Sequence, residues 1–238
     1  DGRGARGGGQ ALKSPVGTGR GPKIAAEPQE GSGGGTLAEF GDAVTRGGGK
    51  NGEQLYPSFP YASYARMTQK DVNDLFGYLK TLPASQNDAP DHDLPFPFNL
   101  RMALGGWKFL YFDTSAPPRV ELANANAELL RGQYLVEGPG HCGECHTPRD
   151  ALGGFLKDKW LAGGPNPEGE GRIPALTPGS ASIGAWTAAD IAGYLETGFT
   201  PEFDSVGGSM VKVQQNMAHL TAEDRNAIAA YLKAIPSR

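Results

Sequence analysis

The sequence predicts a mostly α-helical protein built from two tandem units, with long Gly- and Pro-rich loops and little strand. Three observations carry this. Two capped amphipathic segments recur later in the chain, in the same order and at nearly the same offset. Glycine and proline supply 36 and 19 of the 238 residues, so loops are extensive, while the periodic segments argue against disorder. The strand–helix alternation of an α/β protein is missing.

The first repeated segment runs from Thr36 to Gly47 and matches Thr187–Gly198 at an offset of 151. In each, a threonine opens, an acidic residue follows three positions on, and glycine closes, the signature of a boxed start and a left-handed stop. The second runs from Thr68 to Pro83 and matches Thr221–Pro236 at an offset of 153. Each opens on a capping threonine, with Asp71 or Glu223 and Asp224 in the first turn, and ends at a proline. Val72, Leu75, Phe76 and Leu79 in one copy, and Ile228, Tyr231, Leu232 and Ile235 in the other, fall at helical spacing and form the predicted core. The predicted layout is a first unit over 1–95, a Pro- and aromatic-rich linker over 96–119 and a second unit over 120–238.

A net charge of −4 argues against nucleic acid or an anionic membrane surface as partner. No window approaches the ~20 apolar residues of a membrane span. The chain does not begin with methionine and shows no signal peptide, so a processed or truncated amino terminus is expected; membrane association then depends on residues before Asp1 or on a partner.

Both cysteines lie in Cys142-Gly143-Glu144-Cys145-His146, the C-x-x-C-H spacing of c-type haem attachment. Two thiols add to the porphyrin vinyl groups, and one helical turn sets the adjacent imidazole beneath the iron. Three other readings compete. A thioredoxin-type site expects an α/β setting. A zinc site needs a second ligand pair that the chain lacks. A disulfide leaves His146 unexplained. Haem c bound to Cys142 and Cys145 with His146 as iron ligand is therefore expected, and with it a periplasmic location, because covalent attachment occurs outside the cytoplasm. A cofactor of that size also explains how a chain with 38% hydrophobic residues builds a core. The repeat offset places a matching motif for the first unit upstream of Asp1; truncation of the chain there, or loss of the first haem, accounts for its absence.

Cytochrome c iron commonly takes a methionine as second axial ligand. The chain has Met67, Met102, Met210 and Met217. Met210 follows Gly207-Gly208-Ser209, where glycines let backbone approach a flat cofactor, and is the leading candidate; Met217 is the other. In the first unit Met67 is the candidate, just ahead of the repeated helix, while Met102 falls in the linker. Pro148 lies where a carbonyl accepts the His146 N–H and orients the ring. Arg149 either pairs with a haem propionate or is solvated. His92, His141 and His219 read as ordinary loop residues; Trp107, Trp160 and Trp186 either wall the haem or fill the core.

The stretch Arg131-Gly132-Gln133-Tyr134-Leu135 through Gly140–Arg149 resembles the second haem domain of bacterial dihaem c-type cytochromes, similar to the cytochrome subunits of membrane-associated alcohol, gluconate and fructose dehydrogenases. Leu55–Tyr61, Phe96-Pro97-Phe98-Asn99, Gly106-Trp107-Lys108 and Gly207–Met210 match the same group, so the resemblance covers nearly the whole chain. It implies two cytochrome c folds, each with a His/Met haem, passing electrons from a dehydrogenase towards quinone, another cytochrome or an oxidase. It carries haem attachment to Cys142 and Cys145, axial ligation to His146 and Met210, and suggests Met67 for a first haem. The missing first motif departs from the pattern. The expected role is thus an electron-transfer protein and not an enzyme. The alternatives are a haem enzyme of the peroxidase or thiosulfate dehydrogenase type, with an exchangeable axial site, and a haem-free binding module.

Overall fold

Thr36 starts the first helix by a reciprocal exchange: its hydroxyl accepts the Glu39 N–H (3.2 Å), and the Glu39 carboxylate accepts the Thr36 N–H (2.7 Å). Those bonds hold the Glu39 carboxyl below its ordinary pKa. The helix α1 (Leu37–Arg46) ends at Gly47, whose φ of 64° is left-handed. In this computed structural model, which describes residues 11–14, 17–20, 35–83, 91–166 and 171–237, nine α-helices and two short hairpins are seen among the described residues. Two compact units result, the first reaching Ala116 and the second beginning at Pro117.

In the first unit, the hairpin β1 (Ala11–Ser14) with β2 (Gly17–Arg20) precedes α1. A single turn, α2 (Tyr61–Tyr64), leads to α3 (Gln69–Thr81), which Thr68 caps by accepting the Asp71 N–H at 3.1 Å. Phe40 and Val44 of α1 pack on Val72 of α3, and the Phe40 and Phe76 rings meet at 5.2 Å. The stretch read from the sequence as a linker carries a helix, α4 (Ala103–Tyr111). Lys108 on α4 donates to the carbonyls of Arg46 (2.7 Å) and Gly47 (2.8 Å), placing a cation on the exposed carbonyl end of α1.

In the second unit, Asn126 caps α5 (Ala127–Glu137) by accepting the Leu129 N–H at 2.8 Å. The one-turn helix α6 (Gly143–His146), the strands β3 (Gly164–Pro165) and β4 (Arg172–Ile173), and the helices α7 (Ala188–Thr197), α8 (Met210–Met217) and α9 (Ala222–Ala234) follow. Thr187 and Asp190 repeat the reciprocal cap, Gly198 the left-handed stop, and Thr221 the cap of α9. Helices α5 and α9 cross at contact distance: a Cβ on Gly132 would lie 1.9 Å from the Ala227 carbonyl oxygen. Beside the crossing, Arg131 grips Asp224 through two bonds of 2.7 and 2.9 Å. Inside it, the buried Glu137 carboxylate accepts from Tyr231 Oη (2.8 Å), Gln133 Nε2 (3.1 Å) and the Arg119 N–H (2.8 Å), so its burial is compensated. Ile228, Tyr231, Leu232 and Ile235 all join the core, which also holds Val136, Trp160, Leu161 and Ile191.

Candidate haem-attachment site

The C-x-x-C-H segment is one helical turn fastened at both ends. At its start, the Cys142 N–H donates to the Val136 carbonyl at 3.2 Å, tying the turn to the end of α5. At its finish, the His146 carbonyl accepts the Gly163 N–H at 2.7 Å, and Thr147 Oγ1 accepts the Leu161 N–H at 3.0 Å. Gly143 has no alternative here, because the Trp160 ring lies 2.2 Å from where its Cβ would be. Trp160 is thereby placed as core packing under the attachment turn. Trp186 is half-buried against Tyr194, with ring centroids 5.4 Å apart, and Trp107 stacks on Tyr111 at 5.3 Å within the first unit.

His146 is buried, and its Nδ1 lies 2.8 Å from the Pro174 carbonyl oxygen. A carbonyl oxygen only accepts, so Nδ1 carries the proton and Nε2 keeps its lone pair. Burial pushes the imidazole pKa down, which holds the ring neutral, the form a metal binds. Pro148 does not orient the ring. Its carbonyl accepts the Leu156 N–H at 3.0 Å, whereas Pro174 is brought to His146 by the backbone that packs on Gly163.

Cys142 and Cys145 are not joined in a disulfide. Burial pushes the Cys142 thiol up to about 12, the opposite of the lowered value that activates an exchange cysteine. Arg149 folds back on the turn. It pairs with the Glu144 carboxylate, donates to Gly153 O at 2.8 Å and lies over the Phe155 ring at 4.4 Å.

Met210 and Met217 stand two turns apart on α8, both half-buried against the core that Cys142 also borders. Their helix is pinned by residues the sequence reading passed over. Buried Gln214 donates to the carbonyls of Glu196 (3.0 Å) and Leu195 (3.3 Å) at the end of α7. Buried Arg225 donates to Ala218 O and Leu220 O and pairs with Glu196 at 2.9 Å, fixing the loop after α8. Met67 lies in the first unit, as its sequence position requires, and packs against Phe40, Val44 and Val72 at the start of α3.

The donors present fit haem c: two thiols on one turn, a neutral imidazole with its lone pair free, and thioethers bordering the same apolar core. The group, when bound, supplies reversible one-electron chemistry at iron. The protein's share is to hold the imidazole tautomer through Pro174, to seat the turn on Trp160, and to anchor the thioether helix through Gln214.

No protein-family model matches the chain. It is 50% identical over 230 residues to a diheme cytochrome c-type protein of Cereibacter sphaeroides, covering 97% of this chain and 76% of that one. It is 36% identical over 241 residues to the cytochrome c subunit of alcohol dehydrogenase (quinone) of Gluconobacter oxydans, covering 97% of this chain and 49% of that subunit. It is also 36% identical over 233 residues to the fructose dehydrogenase cytochrome subunit of Gluconobacter japonicus, again covering 97% of this chain, and 47% of the subunit. The chain thus spans about half the length of these dehydrogenase subunits. Two of these relatives are cytochrome subunits of dehydrogenases, and this chain is an electron-transfer protein rather than a catalytic enzyme in itself. Half of its residues, over nearly all of its length, are those of a diheme c-type protein, and its attachment turn is folded to present a neutral imidazole: the chain belongs to the diheme c-type cytochromes.

Proposed function

We propose that this chain is a periplasmic cytochrome that relays single electrons through a haem held by His146 and Met210, as the partner or cytochrome subunit of a membrane-associated dehydrogenase. The observation that carries it is the 2.8 Å contact between His146 Nδ1 and Pro174 O, which leaves Nε2 as an oriented ligand. Met210 is preferred over Met217 because glycines at 207 and 208 allow the chain to close over a flat group. No helix among the described residues is long and apolar enough to cross a membrane. In this reading the dehydrogenase partner supplies the association with the membrane. The electron acceptor is quinone, another cytochrome or an oxidase. Arg149 is engaged by Glu144, which favours a role in bracing the turn over pairing with a propionate.

A second haem, in the first unit, is part of this reading. Tyr231 on α9 is fully covered, packed where α5 crosses; its counterpart Tyr78 on α3, at the offset of 153, is 61% exposed. In this reading the face of α3 that bears Tyr78 is the counterpart of the one that α5 covers on α9, and it is where a helix bearing a second attachment motif would pack.

Two measurements test the proposal. The intact mass of the native protein counts covalent haems, two being expected. Replacing Met210 by alanine is expected to abolish the thioether-to-ferric-iron absorption band. It should also lower the potential by an appreciable part of the ~0.8 V span that axial ligands command. Met217→Ala should change neither; the reverse pattern would move the ligand to Met217.

A further inference from the structure

Helix α5 ends on a buried anion. Glu137 is its last residue and is 3% exposed. Tyr231 Oη and Gln133 Nε2 donate to its Oε1, and the Arg119 N–H donates to its Oε2. An ionised carboxylate only accepts, so these donors suit the charged form. Burial first, and then the Glu137 charge, push the Tyr231 phenol up, so its hydroxyl keeps the proton that it donates. The crossing of α5 on α9 does not itself call for a charge here. A carboxylate at the carbonyl end of a helix meets the negative pole of the helix dipole, and leaving water costs it further. The neutral amide of glutamine would fill the same volume.

The anion stands close behind the attachment turn. Its chain neighbour Val136 accepts the Cys142 N–H at 3.2 Å. A Cβ on Gly140 would lie 2.5 Å from the Leu135 carbonyl oxygen and 3.7 Å from Cys142 Sγ, so the end of α5 and the attachment sulfur are in contact. Side chains make the same link. The Trp160 ring packs on Gly143, and its indole N–H, without a well-formed hydrogen bond among the described residues, lies beside the Tyr231 hydroxyl that bonds Glu137. Leu135, Val136, Leu161 and Leu232 belong to the surrounding core, so the charge is weakly screened. A cation shares the wall: the half-buried Arg119 guanidinium lies over the Phe155 and Trp160 rings at 5.4 and 5.6 Å.

We propose that Glu137 is a fixed negative charge that sets the driving force of the haem carried by Cys142 and Cys145, stabilising ferric over ferrous iron and holding the reduction potential down. Reduction adds one electron at the iron while Glu137 stays ionised, so the anion disfavours the reduced form. It offsets part of the rise that a thioether ligand gives. Arg119 acts in the opposite sense and, being partly exposed, more weakly. Neither residue touches the iron; each acts through its field. The inference rests on the proposed attachment of haem to this turn.

The test is a redox titration of the haem-loaded protein, with covalent haem counted by intact mass in the same preparation. Glu137→Gln is expected to raise the potential, so that the ferrous-to-ferric ratio at a fixed electrode potential grows severalfold. Glu137→Asp keeps the charge on a shorter arm and should stay near the parent. Arg119→Gln should move the ratio the other way. Where two haems titrate, the wave that moves should be the one that truncation of Met210 or Met217 also moves; a shift in the other wave alone would overturn the inference. An unmoved potential in Glu137→Gln would overturn it and leave haem attachment standing. Equal shifts in the Gln and Asp variants would do the same, assigning Glu137 to packing. A chain without covalent haem would overturn the proposed function, and this inference with it.

Discussion

At the scale of single residues, the site depends on contacts that act through a ring or a carbonyl. Pro174 decides the tautomer of His146, and Trp160 decides that residue 143 is glycine. Adding one methyl at Gly143 forces the Trp160 ring to move, since it lies 2.2 Å from the new Cβ. Gly143→Ala is expected to cost about 1–3 kcal/mol, read as a fall in the midpoint of thermal unfolding. Gly193→Ala is the control: nothing lies within 4 Å of its would-be Cβ, and alanine is the better helix former, so the midpoint should hold or rise. The candidate attachment residues stand out in the sequence because C-x-x-C-H is a local pattern. Pro174 does not, because it meets His146 across 28 positions and a proline carbonyl leaves no mark in composition. Gln214 and Arg225 were illegible for a related reason. A polar side chain in an amphipathic helix reads as solvated until the carbonyls beneath it are seen.

At the scale of elements, the helix starts and stops followed from local chemistry. Thr36, Thr68, Thr187 and Thr221 all cap as their spacing predicts, and Gly47 and Gly198 both adopt left-handed backbone. Helix α4 was hidden within a stretch read as linker. It has no side-chain cap, and Gly105 and Gly106 interrupt its interior; Lys108 reaching the end of α1 and the Trp107–Tyr111 contact support it. The crossing of α5 on α9 is a tertiary fact, recorded in the bonds from Arg131 to Asp224 and from Tyr231 to Glu137 and in the close approach at Gly132. Arg131 holds the Asp224 carboxyl below its ordinary pKa, chiefly by hydrogen bonding. The stability this contributes is complete above the unfolded value of about 3.9 and is lost as pH falls through the lower folded value. Asp224→Asn should therefore cost about 0.5–1 kcal/mol at neutral pH, discounted for the exposed arginine. The gap to the parent protein should close in denaturant titrations run progressively below pH ~3.9; a gap that persisted there would assign the effect to packing.

At the scale of the whole molecule, the two units are unequally built. Among the described residues, fifteen buried apolar side chains lie in the second unit and four, Phe40, Val44, Tyr61 and Val72, in the first. Stability scales with such burial, so the units are expected to unfold in separate steps, the first unit at the lower temperature. In single-tryptophan variants Trp107 reports on the first unit and Trp186 on the second; coincident transitions from both probes would show one cooperative block instead. The repeat was visible in sequence because its caps are local, whereas the inequality between the copies was not, since matching helices do not reveal what lies on them. The two thiols differ in access: Cys145 is exposed and Cys142 half-covered at the border of the core. Both sulfurs can thus be approached in the closed fold, one openly and one along its uncovered edge, so stitching on a pigment does not call for the chain to be taken apart first.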